Sequence, residues 1–460
     1  MRVTTVFIAT AILVSAIAVG QAQTPAPPGQ QPAATNQTPQ QRPDPVPPAD
    51  LPRPSTTDPR ANLKPGGPGV KAAEAAWNME LVSNLPKPEG FYDKDMPLGT
   101  RPPQQPEPAP GAPPTPQNPN QLSYTNSDLA FSGSHVVMGN YHGFNTYNIE
   151  RANKPQLIAS VVCPGGQGDV SIWGNLLFMS VEQTRGRLDC GLQGVVPVVS
   201  NERFRGVRIF DISDLKNPKQ VAAVQTCRGS HTHTLVPDPR DKSHIFLYAS
   251  GTGGVRSGEE LVGCSGKDPK DDPNTSLFSI DVIEVPIATP SQARIVNQPR
   301  LFASTEGNLA GLWTGGDHGP NTQRTSTTNQ CHDITVYSEI GLAAGACSGN
   351  GILMDISDPR NPKRLDFVSD KGFAYWHSAT FNNDGTKIVF TDEWGGGSRP
   401  RCRATDPLTW GADAIFDIVG DGGGKKLVFR GYYKMPAAQG EQENCVAHNG
   451  SLIPVPGRDI

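Results

Sequence analysis

Residues 207–224 read VRIFDISDLKNPKQVAAV and residues 351–368 read GILMDISDPRNPKRLDFV. Weaker copies of the same phrase stand at 144–161, 277–285 and 414–432. In each, an apolar strand is read as ending at an Asp or Asn, followed by a turn and a second short apolar strand. Asp and Asn bond their own backbone in turns and Pro presets φ there, so the phrase carries structure and no chemistry. The anchors are Asn148, Asp211, Asp281, Asp355 and Asp417, spaced 63, 70, 74 and 62 residues apart. A unit repeated at such a period buries its faces only against neighbouring copies.

Each unit also holds two earlier strands. One group is SHVVMGNY, NLLFMSV, HIFLYAS, IGLAAGA and TKIVFTDEW. Before these come SDLAFSG, GDVSIWG, HTHTLVP, HDITVYS, HSATFNN and a final HNGSLIP. Four short strands per unit predict an all-β protein, a β-propeller of four-stranded blades with six blade starts visible. Gly (49) and Pro (45) are abundant and only 18% of residues are charged, which excludes a helical bundle or coiled coil. The formal net charge of −4, without a long basic run, excludes nucleic acid as a partner.

The DISDxxNPK copies resemble the LVIVD-repeat proteins exported by bacteria, and the likeness extends over about residues 79–460. The resemblance implies a seven-bladed propeller and names no activity. The sixth inner strand is followed only by the last residues to Ile460, so the chain reads as cut short and its ring as open. The segment MELVSNLPKP, from Met79, is similar to an outer strand and is expected to close the last blade.

The domain plan follows. Residues 1–22 read as a signal peptide: Arg2, an apolar core from Thr4 to Val19, and small Gly20 and Ala22 before the cut. Residues 23–70 form a Pro-rich tether with twelve prolines between Thr24 and Arg60. Residues 71–122 are an N-terminal segment containing the closing strand and a short helix at 71–81. Residues 123–460 are the propeller. No other stretch is apolar enough to span a bilayer, so the mature chain is expected in the periplasm, cell envelope or medium.

Export makes the eight cysteines disulfide candidates. By strand direction all eight fall in loops at one end of the blades. The economical pairing is Cys163–Cys190, Cys227–Cys264, Cys331–Cys347 and Cys402–Cys445.

At that same end four inner strands begin His-x-x-[Ser/Thr]-apolar: His231, His332, His377 and His448. The equivalent places in the first two blades are Ser127 and Gly168. Side chains in the same strand phase share a height and a side, so the four imidazoles are expected to ring the mouth of the central channel. Imidazoles there suit a transition metal (Cu, Zn or Fe), and a repeated hydrogen-bonding device is the plainer alternative. Second strands end at this face with His142, Glu182 and Asp392-Glu393. Glu393 is read as a ligand or a catalytic general base, Glu182 more simply as a solvated loop acid. His233 is expected to be packed, pointing away from His231.

Two function classes follow. One is a binding protein or scaffold of the envelope that takes a protein, glycan or small molecule at the His-bearing face, with a metal there. The other is a metal-dependent exported enzyme, an oxidoreductase or hydrolase, using the same face.

Overall fold

In three of the copies the repeated phrase folds the same way because its polar residues satisfy the same backbone groups. Asp211 accepts the backbone N–H of Ser213 and Asp355 that of Ser357, both at 2.8 Å; Asn148 accepts that of Glu150 at 2.9 Å. One turn later Asp214 and Asp358 accept Nδ2–H of Asn217 and Asn361, each at 2.7 Å. These side-chain bonds close the DISDxxNP turn and return the chain as the outer strand.

The computed structural model describes residues 80–85, 88, 126–191, 193–320, 322–393, 406–434 and 447–452. Its elements are almost all strands. Sheet 1 holds Asn126–Ser132, His135–Asn140, Gly143–Asn148 and Gln156–Val162. Sheet 2 holds Val170–Trp173, Leu176–Val181, Gly206–Asp211 and Lys219–Gln225. Sheet 3 holds Thr232–Asp238, Asp241–Ser250, Asp281–Pro286 and Arg294–Asn297. Sheet 4 holds Asp333–Tyr337, Leu342–Cys347, Asn350–Asp355 and Lys363–Val368. Sheet 5 holds Trp376–Phe381, Lys387–Asp392, Asp413–Val419 and Lys426–Tyr433. Each is an antiparallel meander in sequence order, and a two-stranded ribbon, Gly316–Asp317 with Arg324–Thr325, lies between sheets 3 and 4 in the chain. In every sheet the register slips once between the third and fourth strands, as at Ile209/Phe210 and Leu353/Met354. Such a bulge adds local twist to the outer edge.

The second and third strands of most sheets are buried continuously rather than in alternation, because neighbouring sheets cover both of their faces. Val137, Leu177 and Met179 pack between sheets 1 and 2. Phe178, Ile209 and Leu247 pack between sheets 2 and 3. Tyr248, Val282 and Ile352 fill the next layer, and Leu353, Trp376 and Phe390 the last. Five four-stranded sheets stacked face to face through four apolar layers make an all-β, propeller-like array. Residues 447–452 run beside the inner strand of sheet 5 without forming a strand of their own.

Two expectations need correction. Asp281 does not end its strand but begins one, Asp281–Pro286, and Asp417 lies inside Asp413–Val419, two residues before its end. Pro286, opposite His244, holds the place that Asp211 holds opposite Leu176 and Asp355 opposite Leu342. The apolar run LFSIDVIEV misled because its Asp falls in mid-run. The expected closing strand is also not formed: residues 80–85 carry no strand, and Leu81 and Val82 are exposed. Among the described residues no apolar layer covers them. The signal peptide, the tether, most of the 71–81 helix, Cys402 and Cys445 lie outside the described residues.

Candidate metal centre

Inner strands of successive sheets are laced together one residue past the His position. Asp169 accepts the backbone N–H of His233 at 2.8 Å, and Thr232 donates to the His332 carbonyl at 2.5 Å. Ser378 donates to the His448 carbonyl at 3.2 Å. Two residues further on, Thr234 donates to the Ile334 carbonyl and Thr380 to the Gly450 carbonyl, the latter at 2.8 Å. The Ser/Thr of the His-x-x-[Ser/Thr] pattern is therefore an inter-sheet donor where these bonds form, and it sets the His beside it at a fixed height.

The four histidines form one row. His231 meets His332 edge to face with ring centroids 4.4 Å apart. His332 and His377 lie 3.6 Å apart, their planes tilted by 33°. His377 and His448 are 4.3 Å apart. His332 and His377 are buried, and His448 is exposed.

Carboxylates flank the row. Glu182 meets His231 Nδ1 at 2.7 Å and accepts from Thr252 Oγ1 at 3.2 Å. Asp333 meets His332 Nδ1 at 3.2 Å. Glu393 stands 3.6 Å from His377 Nε2 and 3.7 Å from His448 Nε2. Donor atoms of His332, Asp333 and His377 lie within 4.8 Å of one another, as do those of His377, Glu393 and His448.

Electrostatics differ along the row. Burial alone would lower the pKa of His231, but the bond and charge of Glu182 outweigh it and raise it. Glu182 is held below its usual range by the same bond, against burial. Asp333 is likewise lowered by His332, against burial. His377 is pushed down to about 2, first by burial and then by the charge of His332. It is a neutral imidazole at any ordinary pH.

Neither ring nitrogen of His377 makes a hydrogen bond among the described residues: Nδ1 is buried without a partner, and Nε2 is beyond bonding distance of Glu393. A buried polar atom left so costs about 1–3 kcal/mol. Neutral imidazole and carboxylate together suit Zn, Cu or Fe, so the donor set fits such an ion.

The surroundings are rigid. Disulfides Cys163–Cys190, Cys227–Cys264 and Cys331–Cys347 form as paired from sequence, the last beside His332. Arg205, buried, donates from Nε to the Glu182 carbonyl at 2.9 Å and from Nη2 to the Arg228 carbonyl at 2.8 Å. The Tyr375 ring stands edge-on to His332 at 5.8 Å.

Other expectations sort as follows. His233 is packed, bonded to Ser171 Oγ at 2.6 Å and Ser180 Oγ at 2.8 Å, and burial holds it down at about 3. His142 is buried and held at about 4 by that burial. Asp392 is buried and accepts backbone N–H groups of Ala374, Tyr375 and Gly411, so it shapes the loop that carries Glu393. Glu182, read as a solvated acid, is a partner of His231. Asp333 was not singled out, although its place directly after a patterned His was a usable signal.

No family model and no curated protein matches the chain. Among solved structures it is similar to a functionally unknown protein from Desulfotomaculum acetoxidans, at 11% identity and TM-score 0.40, covering 71% of this chain and 75% of that one. A hypothetical selenium-binding protein from Sulfolobus tokodaii matches at 11% identity and TM-score 0.39, over 67% and 66% of the two chains. The periplasmic gluconolactonase of Pseudomonas aeruginosa matches at 10% identity and TM-score 0.34, over 69% and 86%. At these values the likenesses carry no inference about activity.

Proposed function

We propose that this chain is an exported, LVIVD-type propeller acting as a binding protein or scaffold of the cell envelope, with a transition-metal centre (Cu, Zn or Fe) at its His-bearing face. The observation that supports it most is His377: a buried, neutral imidazole with both nitrogens uncommitted, between His332 and His448 and facing Glu393. Three disulfides fit an oxidising compartment. Among the described residues no helix is long and apolar enough to cross a membrane.

In this reading His377, His448 and Glu393 hold the ion. Glu393 is near equidistant from two imidazoles, which suits a ligand better than a free general base. The centre then fixes a ligand with its own oxygen or nitrogen donors, or the metal itself is the cargo.

The test is metal analysis of the protein purified from the periplasm, before and after reconstitution with Cu, Zn and Fe. A transition metal ion bound by His377, His448 and Glu393 is expected, and His377→Ala should lose that ion while keeping the three described disulfides. A wild-type protein that holds no such ion after reconstitution overturns the proposal.

A further inference from the structure

We propose that the row of histidines holds two metal ions rather than one, the second bound by His231 and His332. This rests on the metal reading above and changes its stoichiometry.

Two imidazoles on one ion, with each nitrogen about 2.0–2.1 Å from it, place their ring centres about 4.5 Å apart at a right angle and about 5 Å apart at the tetrahedral angle. His377 and His448, at 4.3 Å, are close to the first value, and so are His231 and His332, at 4.4 Å. His332 and His377 are not: they overlap at 3.6 Å with planes only 33° apart. At 3.6 Å two rings on one ion would crowd their nitrogens against each other, which two ligands each about 2.0–2.1 Å from the ion do not allow. The row divides at this contact into two pairs.

The carboxylates divide the same way. His231 and His332 each engage a carboxylate through Nδ1, Glu182 at 2.7 Å and Asp333 at 3.2 Å. That leaves both Nε2 atoms for an ion, the usual carboxylate–histidine–metal relay in which the acid fixes tautomer and ring orientation. His377 and His448 turn Nε2 toward Glu393 instead, which places that acid as a direct ligand of the first ion.

Charge agrees. Glu182, Asp333 and Glu393 supply three negative charges to the row. One divalent ion leaves an excess of anion in a largely buried site, while two leave one positive charge for an exogenous anion, such as hydroxide or an oxyanion, to fill. The supports are also doubled. Glu182 is held through Thr252 and, at its carbonyl, through Arg205; His332 follows directly on the Cys331–Cys347 staple.

Titration of the metal-free full chain with Co²⁺, followed by absorbance and by bound metal after gel filtration, tests this. Two ions per chain are expected. His448→Ala and His231→Ala should each keep one, and the double variant none. Glu182→Gln should weaken only the second ion, by about 10- to 100-fold, leaving the first unchanged. Disulfide mapping and circular dichroism check that each variant folds; His231→Gln stands in if the alanine variant does not. Saturation at one ion, lost in both His231→Ala and His448→Ala, overturns the two-ion centre and leaves the single-ion proposal standing. No ion in the wild type overturns both.

Discussion

A buried neutral histidine makes a protein acid-sensitive, and this one has several. His233 is held at about 3 and His377 at about 2, below their ordinary 6.5. Between those values and about pH 6.5 the unfolded chain takes up protons that the folded chain does not. Stability of the metal-free protein therefore falls as pH drops through that window. Of the His231–Glu182 pair, the histidine acts in the opposite sense and the carboxylate in the same one. A raised His231 stabilises fully below about 6.5 and loses its effect as pH rises through its folded value. A lowered Glu182 stabilises above about 4.5 and loses its effect as pH falls through its own. His233→Gln keeps an amide to bond Ser171 and Ser180 but has no proton to take up. Its plot of unfolding free energy between pH 6 and 4 should be shallower than wild type by up to about 1.4 kcal/mol per pH unit, the worth of one proton. Denaturant titrations at five pH values would measure it, and parallel slopes would show that His233 is not the acid-sensitive group.

At the level of elements, the third strands of sheets 1 and 2 enter by a device that only glycine permits. Gly143 and Gly206 have φ of +142° and +145°, and a Cβ on either would lie 2.0 Å from the carbonyl oxygen of Val161 or Val224. Gly206→Ala combines a strained backbone with a clash against the outer strand, and should cost about 2–4 kcal/mol in chemical denaturation. A loss below about 1 kcal/mol would mean that the outer strand moves freely aside. These elements were legible to different degrees. The DISDxxNP turns were readable because every partner sits within three residues, as Asp214 does for Asn217. Asp281 was misplaced because an Asp at the start of an apolar strand looks in sequence like one at its end. The strand proposed at 79–85 had alternation in its favour, but alternation names no partner.

For the whole molecule, the His row was legible and its carboxylates only partly so, for one physical reason. Repetition puts His231, His332, His377 and His448 in one phase, and phase survives in sequence. The bond from Glu182 to His231 crosses from one sheet to the next, and nothing local to Glu182 distinguishes a bonded acid from a solvated one. The inter-sheet lacing has the same non-local character, and it predicts how site and fold are coupled. Thr232 and Thr234 donate to the carbonyls of His332 and Ile334. Changing both to Val keeps shape and strand propensity but leaves two acceptors of the next sheet without those donors, each at about 1–3 kcal/mol where water is excluded. The apolar layer of Tyr248, Val282 and Ile352 still holds sheets 3 and 4 together, so the fold should persist. What should loosen is the seam: amide exchange in Thr232–Asp238 and Asp333–Tyr337 should speed at least tenfold, the factor for about 1.4 kcal/mol, while the inner strand of sheet 1 exchanges as before. Because the seam sets His231 against His332, metal affinity should fall in the same variant. Thr386→Val, which removes an exposed hydroxyl bonded only within its own turn to Asp384 and Asn382, is the control and should change neither. Equal exchange in the double variant and the control would mean that the sheets are held by their apolar layers alone, and that the height of the histidines is set within each sheet.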